Sequence, residues 1–138
     1  MDRIDLHVEV PAVPFGDLSA DGNAESSVLV RERVIAAREV QRARLAEAPG
    51  ITCNAGMGPS ALRRHARPDP DVLALLQRAI DRLGLSARAY HRLLKVAHTV
   101  ADLEGSARIC TDHAAEAIQY RTLDRMPMGP YRGDLSSN

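Results

Sequence analysis

Gly84-Leu-Ser-Ala-Arg-Ala-Tyr-His-Arg-Leu-Leu-Lys-Val-Ala97 is the stretch on which the fold turns. Gly84 suits the left-handed conformation that ends a helix. Ser86 has the short oxygen-bearing side chain that caps the start of the next one. From there Tyr90, Leu93, Leu94 and Ala97, then Val100 and Ala101, recur at helical spacing, so one face of a helix reaching about Glu104 is predicted to point into a core. Gly105 stands just past that end. Arg88, Arg92 and Lys95 fall at i, i+4 and i+7 and share a different face.

Working back from Gly84, Asp69-Pro70-Asp71 is a helix start, with an N-cap residue, proline at the first helical position and an acid in the first turn. Val72, Leu73, Leu76, Ile80 and Leu83 supply its apolar positions. Pro59 to His65 reads as a shorter helix, and residues 51–58 (ITCNAGMG) as a loop. Another helix is predicted from Ser26 or Ser27 to about Ala48, stopped by Pro49-Gly50, with Val30, Val34 and Ala37 as its apolar stripe and Ile35 beside it. Its arginines, Arg31, Arg33, Arg38, Arg42 and Arg44, are interspersed with Glu32 and Glu39 and read as a solvated face rather than a nucleic-acid patch. Forward of Gly105, Thr111 is the expected cap of a helix carrying Ala114, Ala117 and Ile118.

The two ends differ from this middle. Ile4, Leu6, Val8 and Val10 alternate with Asp5, His7 and Glu9, the period of a strand with one buried face. A lone strand is not stable in water, so its sheet partners are expected in a missing part of a longer protein, with Met1 an added start. Residues 11–25 carry two prolines and two glycines and read as a linker. Residues 126–138 lack periodicity and are expected to be a disordered tail. The expected division is therefore 1–25 for strand and linker, 26–125 for the helices, and 126–138 for the tail. The fold class is mainly α: a small helical bundle preceded by one orphan β-strand.

Composition agrees with this division. The 138 residues are 45% hydrophobic but only 3% aromatic, without Trp, so Leu, Val, Ile and Ala must build the core. The formal net charge is zero, and Lys95 is the only lysine. No global attraction to nucleic acid or anionic lipid is expected from such a balance. Cys53 and Cys110 lie far apart, outside any C-x-x-C spacing, and read as reduced thiols in core or loop positions rather than nucleophiles. No signal pattern or membrane-length apolar run is visible, and a soluble cytoplasmic protein is expected.

The chemistry centres on Arg88. With Ser86 as N-cap it occupies the second helical position, where a cation opposes the helix dipole at a cost of a few tenths of a kcal/mol. Local stability gives no reason for it. An arginine beside free helix N–H groups can hold phosphate, and an ordinary solvated basic face is the alternative. His91, His98 and Asp102 could be drawn as a metal site, but half-exposed polar-face histidines account for them, and no metal is assigned. Asp17 and Asp21 read as turn residues.

The Gly84–Ala97 segment, with Thr99-Val-Ala-Asp-Leu-Glu-Gly105, resembles the sensor-2 helix of magnesium-chelatase-like AAA+ ATPases of the ComM/YifB type. The opening Asp2-Arg3-Ile-Asp-Leu-His-Val-Glu-Val-Pro11 resembles the segment that closes that family's ATPase core. Ser27 to Arg38, Cys53-Asn-Ala-Gly-Met-Gly58, Glu116-Ala-Ile-Gln-Tyr-Arg121 and Leu123-Asp124-Arg125 are also family-like, so the likeness spans residues 2–125. It implies a C-terminal lid in which Arg88, with Arg92 behind it, contacts the phosphate of ATP. It also implies that Arg3 acts as an arginine finger on a neighbouring subunit's ATP.

The resemblance implies further that the intact protein uses ATP and Mg2+, forms a homo-oligomeric ring (a hexamer), and works on DNA in branch migration or competence, away from membranes. No G-x-x-x-x-G-K-[ST] loop and no strand ending in paired acids is present, so this chain alone is not expected to hydrolyse ATP. Two alternatives stand: magnesium insertion into a tetrapyrrole, or a stand-alone helical module that binds DNA or protein.

Overall fold

The computed structural model describes residues 5–12 and 25–122. Arg3, the linker residues 13–24 and the expected tail 126–138 lie outside the described residues. Among the described residues five α-helices follow one another: α1 (Ser27–Arg44), α2 (Pro59–His65), α3 (Pro70–Leu83), α4 (Ala87–Leu103) and α5 (Thr111–Thr122), with a 3-10 turn at Asn54–Gly56 between α1 and α2. No helix among the described residues is long and apolar enough to cross a membrane.

Local chemistry sets most of the boundaries. Ser26 caps α1, its Oγ accepting the Leu29 N–H at 3.4 Å, and Ser86 caps α4 in the same way through the Ala89 N–H at 3.4 Å. Pro70 opens α3, and Gly84 closes it at φ 56°, a left-handed conformation costly for any residue with a Cβ. Asp69 does occupy the N-cap position of α3, but its carboxylate makes no capping bond. It accepts from Arg108 Nη2 at 2.6 Å instead, tying the start of α3 to the α4–α5 loop. Thr111 proves to be the first helical residue of α5, and His113 Nδ1 accepts the Cys110 N–H at 2.9 Å, reaching back as the third residue of a capping box does.

The core forms where the apolar faces of α3, α4 and α5 meet. Val72 and Leu76 from α3, Leu93, Leu94 and Ala97 from α4, and Ala114 and Ala117 from α5 are buried with Leu45, Met57, Leu62, Ala66 and Ile109. Burying a leucine such as Leu76 contributes about 1.5–3 kcal/mol. The most extensive helix pairing is α4 on α5, and small residues on both (Ala97, Ala101, Ala114, Ala117) let the two approach closely.

Two expectations need correction. First, α1 ends at Arg44, not near Ala48, because the chain leaves the helix at Leu45 and sends that side chain into the core at 2% exposure. Second, of the stripe expected on α1 only Ala37 is buried; Val30 and Val34 are 39% and 45% exposed. The described part of the orphan strand, residues 5–10, forms no ladder among the described residues. Leu6, Val8 and Val10 are 48%, 67% and 83% exposed, because no strand lies beside them among the described residues. The segment is tied to the bundle by a backbone bond from His7 N–H to the Tyr120 carbonyl at 2.9 Å and by an ion pair at Asp5, among other contacts.

Candidate functional site

Capping places the residues that matter at the start of α4. Ser86 fixes the first turn, so Arg88 emerges from its second position, exposed and without an ion pair or hydrogen bond to any described residue. The other two cations of its face are committed. Arg92 Nε forms an ion pair with Asp5 Oδ1 at 3.1 Å, and its Nη1 is buried without a partner. Lys95 Nζ donates to the Ala55 carbonyl at 2.9 Å and so pins the loop after α1. Of Arg88, Arg92 and Lys95, Arg88 is the one with no ion pair or hydrogen bond among the described residues.

A polar cluster that the sequence reading did not single out occupies the opposite end of α4. Arg44 donates from Nη1 to Asp102 Oδ2 at 3.1 Å and to Asn54 Oδ1 at 3.3 Å, and from Nη2 to Asp102 Oδ1. Asn54 Nδ2 donates to Asp102 Oδ2 at 2.7 Å and to Thr99 Oγ1 at 3.2 Å, while its backbone N–H donates to Gln41 Oε1 at 3.2 Å. One buried asparagine thus joins α1, the 3-10 turn and α4. The Asp102 side chain is fully buried and that of Arg44 is 17% exposed.

A signal for this pair was present in the sequence. Asp102 falls in the last turn of α4, where a carboxylate opposes the helix dipole, and Arg44 in the last turn of α1, where a cation is favoured. An acid at a disfavoured position four residues past His98 implies a compensating partner; which one, sequence could not say.

The cluster determines the protonation of its neighbours. Burial, joined by the Arg44 charge and outweighing an upward pull from Asp102, brings the His98 imidazole down to about 4. Burial alone would raise the Asp102 carboxyl, but the hydrogen bonds from Arg44 and Asn54 and the Arg44 charge outweigh it and hold the group below the usual carboxylate range. His98 is 5% exposed, not half-exposed as expected, and its Nδ1 has no partner. Among the described residues no three His, Cys, Asp or Glu side chains could hold a metal ion.

The two thiols differ. Burial raises the Cys53 thiol, but N–H groups of Gly56 and Ala55 and the Arg38 guanidinium more than offset it, leaving a lowered value. Cys110 is exposed, in the loop between α4 and α5.

Residues 24–121 match the family described as magnesium chelatase, subunit ChlI C-terminal. The chain is 40% identical over 127 residues to the competence protein ComM of Haemophilus influenzae, which covers 91% of this chain and 24% of that protein. It is 39% identical over 127 residues to the uncharacterized protein YifB of Escherichia coli, again 91% of this chain and 24% of the relative. With the uncharacterized protein Rv2897c of Mycobacterium tuberculosis the identity is 37% over 121 residues, 88% of this chain and 24% of the other. The chain thus spans about a quarter of the length of the curated relatives it matches.

Proposed function

The chain belongs to the magnesium chelatase subunit ChlI C-terminal family, and from that premise we propose that it is the helical lid of an ATP-driven ring, with Arg88 reading the phosphates of ATP. The observation that carries the reading is the isolation of Arg88: an exposed guanidinium in the first turn of α4, unpaired among the described residues, where the helix dipole disfavours it. Its five donors and the neighbouring helix N–H groups match the oxygens of a phosphate. ATP, when bound, supplies the phosphoryl group whose transfer drives the work. Arg88 would hold the phosphate oxygens and bring the lid down on them. Arg92, held by Asp5, would position the segment that carries Arg3, and Arg3 would reach a neighbouring subunit's nucleotide. Mg2+ is expected to be held by the rest of the intact protein, and no step of this lid is routed through it.

The work proposed for the whole protein is on DNA in the cytoplasm, by a homo-oligomeric ring such as a hexamer. The relative named as a competence protein supports this reading. The family description supports a second one, magnesium insertion into a tetrapyrrole. Stimulation of ATP hydrolysis by branched DNA, set against stimulation by a porphyrin, separates the two.

In a full-length protein carrying this lid, Arg88→Ala should lower hydrolysis by about 10³-fold, the scale of an arginine that stabilises a transferring phosphoryl group. Arg3→Ala should do the same from across the interface. Rings mixed from the two variants should regain activity, because some junctions keep both arginines. Unchanged hydrolysis in Arg88→Ala would remove the proposal.

A further inference from the structure

A cleft of about 470 Å³ opens between α2, α3 and α4, away from the polar cluster at the end of α4. Its apolar wall includes Leu62, Leu73 and Leu94, and the Tyr90 and His91 rings stand in it with centroids 5.6 Å apart and planes at 58°. Arg63 and Arg67 line its rim. Both are exposed, and neither makes an ion pair or hydrogen bond with any described residue, nor does Arg64 between them. The acids nearest in sequence do not neutralise them: Asp69 is committed to Arg108, and Asp71 pairs with none of the three. In a chain of zero net charge, three adjacent unpaired guanidiniums beside an apolar cleft are a local concentration of charge with no internal counterpart.

We infer that this cleft is a contact site for single-stranded nucleic acid, with a base entering against Tyr90, His91 and Leu94 and successive phosphates on Arg63 and Arg67. The rim holds more positive charge than one phosphate needs, and it is spread along the chain, which suits a polyanion. Arginine binds phosphate oxygens in pairs and stacks on ring faces, and a base of any identity offers a face to an apolar, ring-lined wall. An acidic peptide fits less well: its carboxylate side chains would reach the rim but bring no planar ring face to the apolar, ring-lined wall. This inference adds a location to the DNA half of the proposed function and does not involve Arg88.

The test uses the 138-residue chain itself and a fluorescently labelled oligothymidine, followed by anisotropy across a salt series. The strand should bind at low salt, and Arg63→Ala/Arg67→Ala should weaken binding about tenfold or more, each lost contact taking about 0.7 off the slope of log K against log salt. Arg31→Ala/Arg42→Ala removes the same charge from α1 and should leave binding nearly unchanged. An abasic strand of equal length keeps the phosphates and should bind several-fold more weakly, because the cleft loses its base. Circular dichroism confirms that the variants keep their helices.

Any of five results overturns the inference: no binding at low salt, equal losses in the two double variants, equal affinity for duplex and single strand, displacement of the strand by ATP as readily as by unlabelled oligonucleotide, or equal binding of polyglutamate. Loss of ATP hydrolysis in Arg88→Ala is independent of all five, so the lid proposal and the cleft fail or stand separately.

Discussion

From Ala37 onward, α1 is held turn by turn: Ala37 and Gln41 are each 3% exposed, and Arg44 reaches across to Asp102. In the ten residues before Ala37, the same helix carries Val28, Leu29, Val30, Val34 and Ile35 at exposures of 64%, 54%, 39%, 45% and 47%. Val30, Val34, Ala37 and Gln41 fall on one face by helical spacing, so the difference is not one of pattern. Past Ala37 the face meets the 3-10 turn and α4; before it, the apolar side chains stay 39–64% exposed. The apolar half is the uncovered one, and the covered half is secured largely by an amide, a guanidinium and a carboxylate. Periodicity names the face that will be buried where a neighbour exists, and the lengths of the other elements decide where that is.

The largest test of the contrast is Arg44→Ala. It strands the fully buried Asp102 carboxylate, and breaking a buried pair from one side costs about 3–5 kcal/mol. Urea denaturation should show that loss, with a transition still cooperative. A cost below about 1 kcal/mol, the range of an exposed pair, would show that the cluster does not secure α1.

Next in size is a pH effect. The unfolded chain takes up a proton at His98 near pH 6.5, whereas the folded chain does so only near 4. Acid therefore favours unfolding: stability is full above pH 6.5 and falls as the pH drops toward 4, by on the order of 3 kcal/mol. Asp102, held below its ordinary range in the folded state, adds a loss in the same direction at still lower pH. His98→Leu should flatten the upper part of this curve and leave stability at neutral pH unchanged or higher, since the imidazole Nδ1 it removes has no partner. A thermal midpoint as steep in pH with leucine as with histidine would show that His98 is not the titrating group.

These tests also mark how far the sequence could be read. The starts and stops of α2, α3 and α4 were legible because Pro59, Pro70, Gly84 and Ser86 act within one turn of themselves. The inner face of α4 was legible because Leu93, Leu94, Ala97 and Ala101 repeat at one spacing. The cluster was not, because Arg44 and Asp102 are 58 residues apart and Asn54 and Asp102 are 48 apart. Asn54 stood in what read as a plain loop. The candidate site divides the same way: Arg88 could be placed from its cap, whereas the engagement of Arg92 by Asp5 and of Lys95 by Ala55 depended on contacts between segments. Leu73, one of the apolar positions read at helical spacing on α3, is 42% exposed on the wall of the cleft.

The smallest effect is the sharpest test of the comparison, because it sets residues of one stripe against each other. Ala37 is 3% exposed against its neighbours, so Ala37→Leu should overpack the contact and cost about 1–3 kcal/mol. One turn away, Val34→Ser should fall within about 0.5 kcal/mol of zero, the range for surface changes that touch no cap, pair or packed contact. Val30→Ser/Val34→Ser together should remain close to the sum of two such small values, provided nothing covers them in the monomer. The measurement is urea denaturation of all three variants at several protein concentrations. If the serine variants lose as much as Ala37→Leu, the first half of α1 is covered in solution and the asymmetry of the helix disappears. If instead their midpoints match the unsubstituted chain at low concentration and fall behind it only as concentration rises, the exposed valines are covered by a second copy, and the contrast between the halves is one between a fixed contact and an optional one.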